Sequence, residues 1–223
     1  MKIKIAINTV NNFSNKTLPI VIPSLLNAGI EKSDIYIFEG GHKVRSVNNY
    51  EGINYIKTNH NSIDFTALID IVENEINFDY WFMMHDTCSV GLNFKNLLYA
   101  NDIFNYQKIA LRNKPSMNIG IYNYSYLKKH KDFILTYKNE NDSIESLIAM
   151  KNKQIIEEDS LLWMTVDSPT GICNMHLPDV QIIGVENFYQ TETPRIIEYH
   201  ARLDLYKYKS NWGQHGNSPT TNL

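Results

Sequence analysis

Between residues 1 and 90 the apolar positions switch repeatedly between the two-residue period of a strand and the longer period of a helix. "KIKIAINTV" is rich in β-branched residues and closes on the polar "NNFSNKT", which predicts a first strand. "LPIVIPSLLNAGI" carries apolar residues at helical spacing and stops at Gly29, a residue suited to a helix C-cap. "SDIYIFEGG" predicts a second strand ending at Glu39, and "INYIKTNH" a short third one. "SIDFTALIDIVENEI" follows as an amphipathic helix with Ser62 as N-cap candidate, and "DYWFMMHD" as the fourth strand.

Strands alternating with helices predict an α/β fold built on a doubly wound, mostly parallel sheet with helices on both faces. The later half is less regular. "GLNFKNLLYAND" reads as helix or turns, "YQKIALRNK" as a strand, and "PSMNIGIYNYSYLKKH" as a loop, a short strand and a helix start. "DSIESLIAMKNKQIIEEDSLLWM" has a helical pattern, read as two helices broken near Glu157, and "VQIIGVEN" as a last strand. "RIIEYHARLDLYKYKSNWGQHGNSPTTNL" is polar, aromatic and weakly periodic, which predicts an irregular C-terminal tail.

Composition narrows the classes. The chain has 223 residues, 43% of them hydrophobic, enough to build a core and to expect one domain over 1–223. A net charge of −3 provides no basic field for nucleic acid or anionic membrane. Cys88 and Cys173 form neither a CxxC pair nor a zinc spacing, which fits a reducing compartment. No apolar run is long enough for a signal peptide or a membrane span, so the expectation is a cytoplasmic protein without a membrane span.

In an open α/β sheet, ligands bind outside the carboxyl ends of the strands. Those ends carry Asn8, Thr9, Glu39, Asn59, His60, His85 and Asp86. A carboxylate such as Asp86 at that rim can hold a hard divalent cation, or it can simply end a buried strand through a hydrogen bond to His85. Side chains alternate along a strand, so His85 faces away from Asp86 unless the chain turns there. Later in the chain, His200 offers an imidazole ligand, and Lys207 and Lys209 can neutralise phosphate. Tyr206, Tyr208 and Trp212 can stack on a sugar or base; the alternative is a solvated basic helix with aromatic anchors. The acidic run Glu157, Glu158 and Asp159 offers a general base, or else helix-dipole compensation. Gly120 allows close backbone approach and Asn118 can bond a hydroxyl, against the plainer reading of a bulge and a turn. Walker A, GxGxxG, GxSxG, HExxH and CxxC patterns are absent.

The order of "KIAINTV", "IYIFEGG", "YWFMMHDTCSVG" and "PSMNIGIY" resembles glycosyltransferases of the GT-A fold. In that family the fourth strand ends in a DxD-type motif; here the position holds His85-Asp86-Thr87, with one carboxylate. The resemblance implies a nucleotide-binding half over 1–90, a donor-sugar and acceptor half over 91–195 and a tail over 196–223. It implies a hexosyl- or pentosyltransferase that moves a sugar from a nucleotide-sugar to an acceptor hydroxyl, assisted by Mn²⁺ or Mg²⁺. Asn8, Thr9 and Val10 would line the base and ribose pocket, with Glu39 near them. Asp86 and His200 would hold metal, with His85 beside Asp86. Asn118 and Gly120 would grip the donor sugar, and Lys207, Lys209 and Trp212 would lie near the diphosphate. Glu158 or Asp159 would deprotonate the acceptor in an inverting enzyme.

The acceptor implied is a glycan, a protein or another hydroxyl compound, in a bacterium or a virus-infected host cell. Duplex DNA is disfavoured by the acidic charge unless Lys128, Lys129 and Lys131 form a patch. Two rivals stand beside this reading. One is a non-catalytic nucleotide- or sugar-binding protein of the same fold. The other is an HD-type phosphohydrolase, which places its His-Asp pair on a helix rather than after an apolar strand.

Overall fold

The computed structural model describes residues 2–99, 108–110, 119–141, 143–164, 175–176, 180–186 and 195–209; for 108–110, 155–164, 175–176, 180, 185–186, 195 and 209 it describes the backbone alone. The strands are β1 (Ile3–Val10), β2 (Ile35–Gly40), β3 (Ser46–Tyr50), β4 (Ile53–Lys57), β5 (Tyr80–His85), β6 (Cys88–Val90), β7 (Lys108–Ala110), β8 (Gly120–Asn123), β9 (Met175–His176), β10 (Val180–Glu186), β11 (Arg195–His200) and β12 (Leu205–Lys209). The helices are α1 (Ser14–Asn27), α2 (Thr66–Glu73), α3 (Phe94–Leu98), α4 (Tyr124–Lys129), α5 (Lys131–Leu135) and α6 (Ile144–Met164).

Eight strands form one mixed sheet in the order β3-β4-β2-β1-β5-β8-β7-β9. Its centre, β4-β2-β1-β5, is parallel, while β3 and β8 run antiparallel to their neighbours. The fold is therefore mixed α/β. Strand alternation divides the core into two layers. Ile3, Ile5, Ile7, Phe82 and Met84 face α1 and α3, whereas Ala6, Phe38, Trp81 and Met83 face α2, α4 and α5. Both layers are apolar because a parallel sheet covered on both faces has no solvent side.

A second, four-stranded antiparallel sheet runs β10-β11-β12-β6. It begins where the chain leaves β5, so Asp86 and Thr87 form the corner between the two sheets. Residues 195–209 thus form a hairpin rather than the irregular tail expected. Their period of two is hard to see in sequence because the inward row is mostly polar. Glu198, His200 and Lys207 share a face with Leu205, Cys88 and Val90 by register.

Two further expectations change. α6 runs unbroken through Glu157, since the segment from Ile144 to Met164 holds neither Gly nor Pro and Glu is a good helix former. β3 is a strand that the pattern does not announce, because Ser46, Asn48 and Asn49 give it no apolar face and Val47 and Tyr50 are exposed at the sheet edge. Ser62 does not cap α2; a 3₁₀ turn at Ile63–Phe65 intervenes, and the Ser62 hydroxyl accepts from the Asn139 amide instead, at 2.9 Å.

The sheet corner is locked at Gly91. Its amide donates to the Asp204 carbonyl at 2.8 Å, and the Asp204 carboxylate accepts from the Asn93 amide at 3.0 Å and from the Tyr199 hydroxyl at 3.2 Å. A Cβ at Gly91 would fall inside that carboxylate. Gly91→Ala is expected to lower stability by about 1–3 kcal/mol, as overpacking does. Urea unfolding of the variant beside the wild type checks this; an unchanged midpoint would contradict it.

Candidate functional site

From β1 the chain moves outward to β2 and β4, then returns to place β5 on the other side of β1. In strand order the chain goes from β1 to one side and from β5 to the other, and in open α/β sheets such a reversal is where ligands bind, in the crevice outside the carboxyl ends. Asn8, Thr9, His85 and Asp86 stand at that point. Asn8 and His85 are register partners, and the Asp86 amide extends the pairing by donating to the Asn8 carbonyl at 2.9 Å.

The His-Asp pair separates across the sheet, as strand alternation requires. Asp86 turns toward α1, where its Oδ2 accepts from Thr9 Oγ1 at 2.6 Å and from Thr17 Oγ1 at 2.7 Å. His85 turns the other way, with Nε2 at 3.6 Å from Asp64 Oδ1. Asp64 also accepts from Lys151 of α6. Burial opposes ionisation of Asp64, but Lys151, His85 and Lys207 outweigh it and hold this carboxyl well below the usual range. On the corner itself, Lys207 of β12 donates to the Thr87 hydroxyl.

One strand along, Glu39 ends β2 as a buried carboxylate. Tyr55 donates to its Oε1 at 2.6 Å, and His42 Nε2 lies 2.6 Å from its Oε2. Burial works against the charge, but hydrogen bonds from Ser14, Tyr55 and His42 prevail and lower the Glu39 pKa. The same contact acts on Tyr55, whose phenol is raised by burial and by Glu39.

The residues anticipated from sequence divide into three groups. Thr9, Val10, Glu39, His85 and Asp86 end β1, β2 and β5 at the crevice, and β12 brings Lys207 to the same corner. Asn8 is also there, but its amide is spent on the protein. Nδ2 donates to the carbonyls of Ile63 and Asp64, and Oδ1 accepts from the Ala67 amide at 2.7 Å. Gly120 is buried between β5 and β7 at the start of β8, and His200 is buried at the end of β11. Asn118 and Trp212 lie outside the described residues. Glu158 and Asp159 lie on α6, and Lys209 ends β12, with their side chains outside the described set. Thr17, His42, Tyr55, Asp64 and Lys151 were not singled out from sequence. Thr17 had a visible signal, lying three residues after Ser14 on one helix face, and His42 lies three residues after Glu39; Tyr55, Asp64 and Lys151 are assembled by long-range packing.

Among the described residues no three His, Cys, Asp or Glu side chains converge as a metal-binding group. At the corner one oxygen of Asp86 already accepts two hydroxyl protons, and Asp64 is engaged by Lys151. A hard cation takes about six oxygens. The described residues do not by themselves fit a protein-held Mn²⁺ or Mg²⁺, so no step below passes through one. No described helix is long and apolar enough to cross a membrane.

Comparison with family models, with curated proteins and with solved structures gives no match to this chain.

His60, expected on the rim, is turned inward. Its Nδ1 lies 2.9 Å from Ser62 Oγ, its Nε2 has no partner among the described residues, and burial pushes its pKa down to about 4 from 6.5. The folded state therefore holds the neutral ring. This contribution is complete above pH 6.5 and is lost as pH falls toward 4. The loss amounts to about 3 kcal/mol at about 1.4 kcal/mol per pH unit. Unfolding free energies of wild type and His60→Gln across this range should diverge with that slope. Parallel curves would show that His60 does not titrate on unfolding.

Proposed function

We propose that the crevice between β1 and β5 binds a nucleotide-sugar and that the protein transfers its sugar to an acceptor hydroxyl. The observation that carries this reading is the convergence, at a topological switch point, of Asp86, the Thr9 and Thr17 hydroxyls and a lysine returned by the C-terminal hairpin. Glycosyl transfer needs charge stabilisation where the nucleoside diphosphate departs. Lys207, fixed on Thr87, supplies a cation there, with Lys151 and His85 on the neighbouring side around Asp64. Glu158 and Asp159 remain the candidates for an inverting base. Acceptor class, as a glycan, protein or other hydroxyl compound, belongs to the same proposal.

A non-catalytic nucleotide- or sugar-binding protein is the second reading. The commitment of Asp86 to two threonines favours it, because that bonding gives the carboxylate a structural task without any metal.

Thermal unfolding with UDP-, GDP-, CMP- and dTDP-sugars, each with and without Mn²⁺, tests both. At a hundredfold excess over Kd, the matching donor should add about 2.7 kcal/mol of stability. Release of the free nucleotide on incubation with water or an acceptor separates transferase from binder. Absence of a shift with every donor would sink the proposal. Lys207→Met should weaken the responding donor by about tenfold, the equivalent of one charge-assisted hydrogen bond of about 1.4 kcal/mol, while leaving the unliganded midpoint within about 1 kcal/mol. An unchanged donor affinity would remove Lys207 from the site.

A further inference from the structure

β3 stands at the outer edge of the eight-stranded sheet, and among the described residues no strand pairs with its far side. An open edge offers unpaired amides and carbonyls to any extended chain, so proteins guard it with bulges, prolines or charges. β3 has none of these. Its ladder with β4 runs without a break from Ser46 opposite Lys57 to Tyr50 opposite Ile53, and its five residues, SVNNY, include neither a charge nor a proline. Val47 is 59% exposed and Tyr50 55%, with Val44 just before the strand at 74%. β10, at the edge of the second sheet, also exposes Ile182 and Ile183, but its ladder with β11 is interrupted by a shift between Ile182 and Gly184.

Charges flank this strand rather than interrupt it, and their signs differ at the two ends. Before Ser46, Lys43 is exposed, while Arg45 is partly buried and holds Asp70 through two bonds of 2.8 and 2.9 Å. After Tyr50 comes Glu51 at φ +51°, which with Gly52 at φ +94° makes the two-residue turn into β4. The Glu51 side chain is 88% exposed and reaches Lys32 at 3.5 Å, a surface pair that leaves the carboxylate accessible. A neutral strand with a cation before it and an anion after it is complementary to its own copy when the two run antiparallel. A two-fold axis near the midpoint, Asn48, sets the Lys43 end of each copy against the Glu51 end of the other. Val47, one residue from that midpoint, meets its own counterpart directly or diagonally across the axis. A parallel copy would instead bring like charges together at both ends.

We propose that the protein associates with a second copy of itself through β3, in an antiparallel pairing that joins the two large sheets into one. β4 and β2 separate β3 from β1, so this pairing is independent of what the crevice between β1 and β5 binds. A contact built on five residues a side lies at the small end of protein interfaces, which predicts a dimer that dissociates in the micromolar range rather than an obligate one.

Sedimentation velocity of the full chain from about 1 to about 100 μM tests this, with reductant present to keep Cys88 and Cys173 as thiols. The wild type should move from monomer to dimer as concentration rises. Val47→Lys puts a charge on the edge and should weaken the dimer by about tenfold or more. Lys43→Glu and Glu51→Lys should each weaken it by about tenfold, because the two-fold axis repeats each like-charge contact, and the double variant should regain wild-type association. Thermal midpoints of all variants serve as folding controls; should Val47→Lys unfold, the two reversals, both at exposed positions, decide. A monomer across the whole range overturns the proposal, whether the edge then takes an extended segment of another protein or no partner. A dimer indifferent to Val47→Lys and to both reversals overturns it too, because that dimer forms elsewhere. Weakening by each reversal without recovery in the double variant overturns the antiparallel arrangement.

Discussion

The Asp86 carboxylate ties three elements together. It ends the central strand β5, and its Oδ2 takes hydroxyl protons from β1 through Thr9 and from α1 through Thr17. Its amide meanwhile prolongs the β1–β5 pairing. A buried carboxylate is costly unless its oxygens are satisfied, and two short hydroxyl bonds to one oxygen meet that demand. The result fixes the start of α1 against the switch point and sets the direction in which the chain leaves for the second sheet. Everything placed at the corner, including Thr87 and Lys207, inherits its position from this bond set.

A second carboxylate repeats the arrangement one strand away. Glu39 accepts from Ser14 at the beginning of α1, as Asp86 accepts from Thr17 in the same turn. Both acids therefore lie against the first turns of one helix. The end of α1 is occupied by the protein's own acids, in keeping with a sequence that has no glycine-rich phosphate loop between β1 and α1. Cations instead arrive from far along the chain, Lys151 on α6 and Lys207 on β12.

The small antiparallel sheet explains how the late residues join. β12 pairs with β6, and the Tyr208 amide donates to the Thr87 carbonyl at 2.9 Å. Because β6 follows β5 after only two residues, any strand added to β6 lies beside the crevice. The hairpin thereby brings Lys207 to the Thr87 corner. Gly91 and Asp204 secure that attachment from the far end.

The sequence by itself determined the alternation of β1, α1, β2, β4, α2 and β5, because each buries a continuous apolar face whose period is unambiguous. From sequence, His85 and Asp86 point apart unless the chain turns there; the structure carries the strand's two-residue period through to Asp86. Tertiary structure decided the rest. α6 stayed whole where a run of acids suggested a break, and the hairpin's mostly polar inner row was not readable as a strand until β6 paired with it. The partners of His85, Asp86 and Glu39 are separated from them by between 3 and 77 residues, and only His42 is close in sequence. Local pattern reports which face a residue occupies. Which groups meet across a face depends on strand order and on where the chain turns back, and those were set by packing.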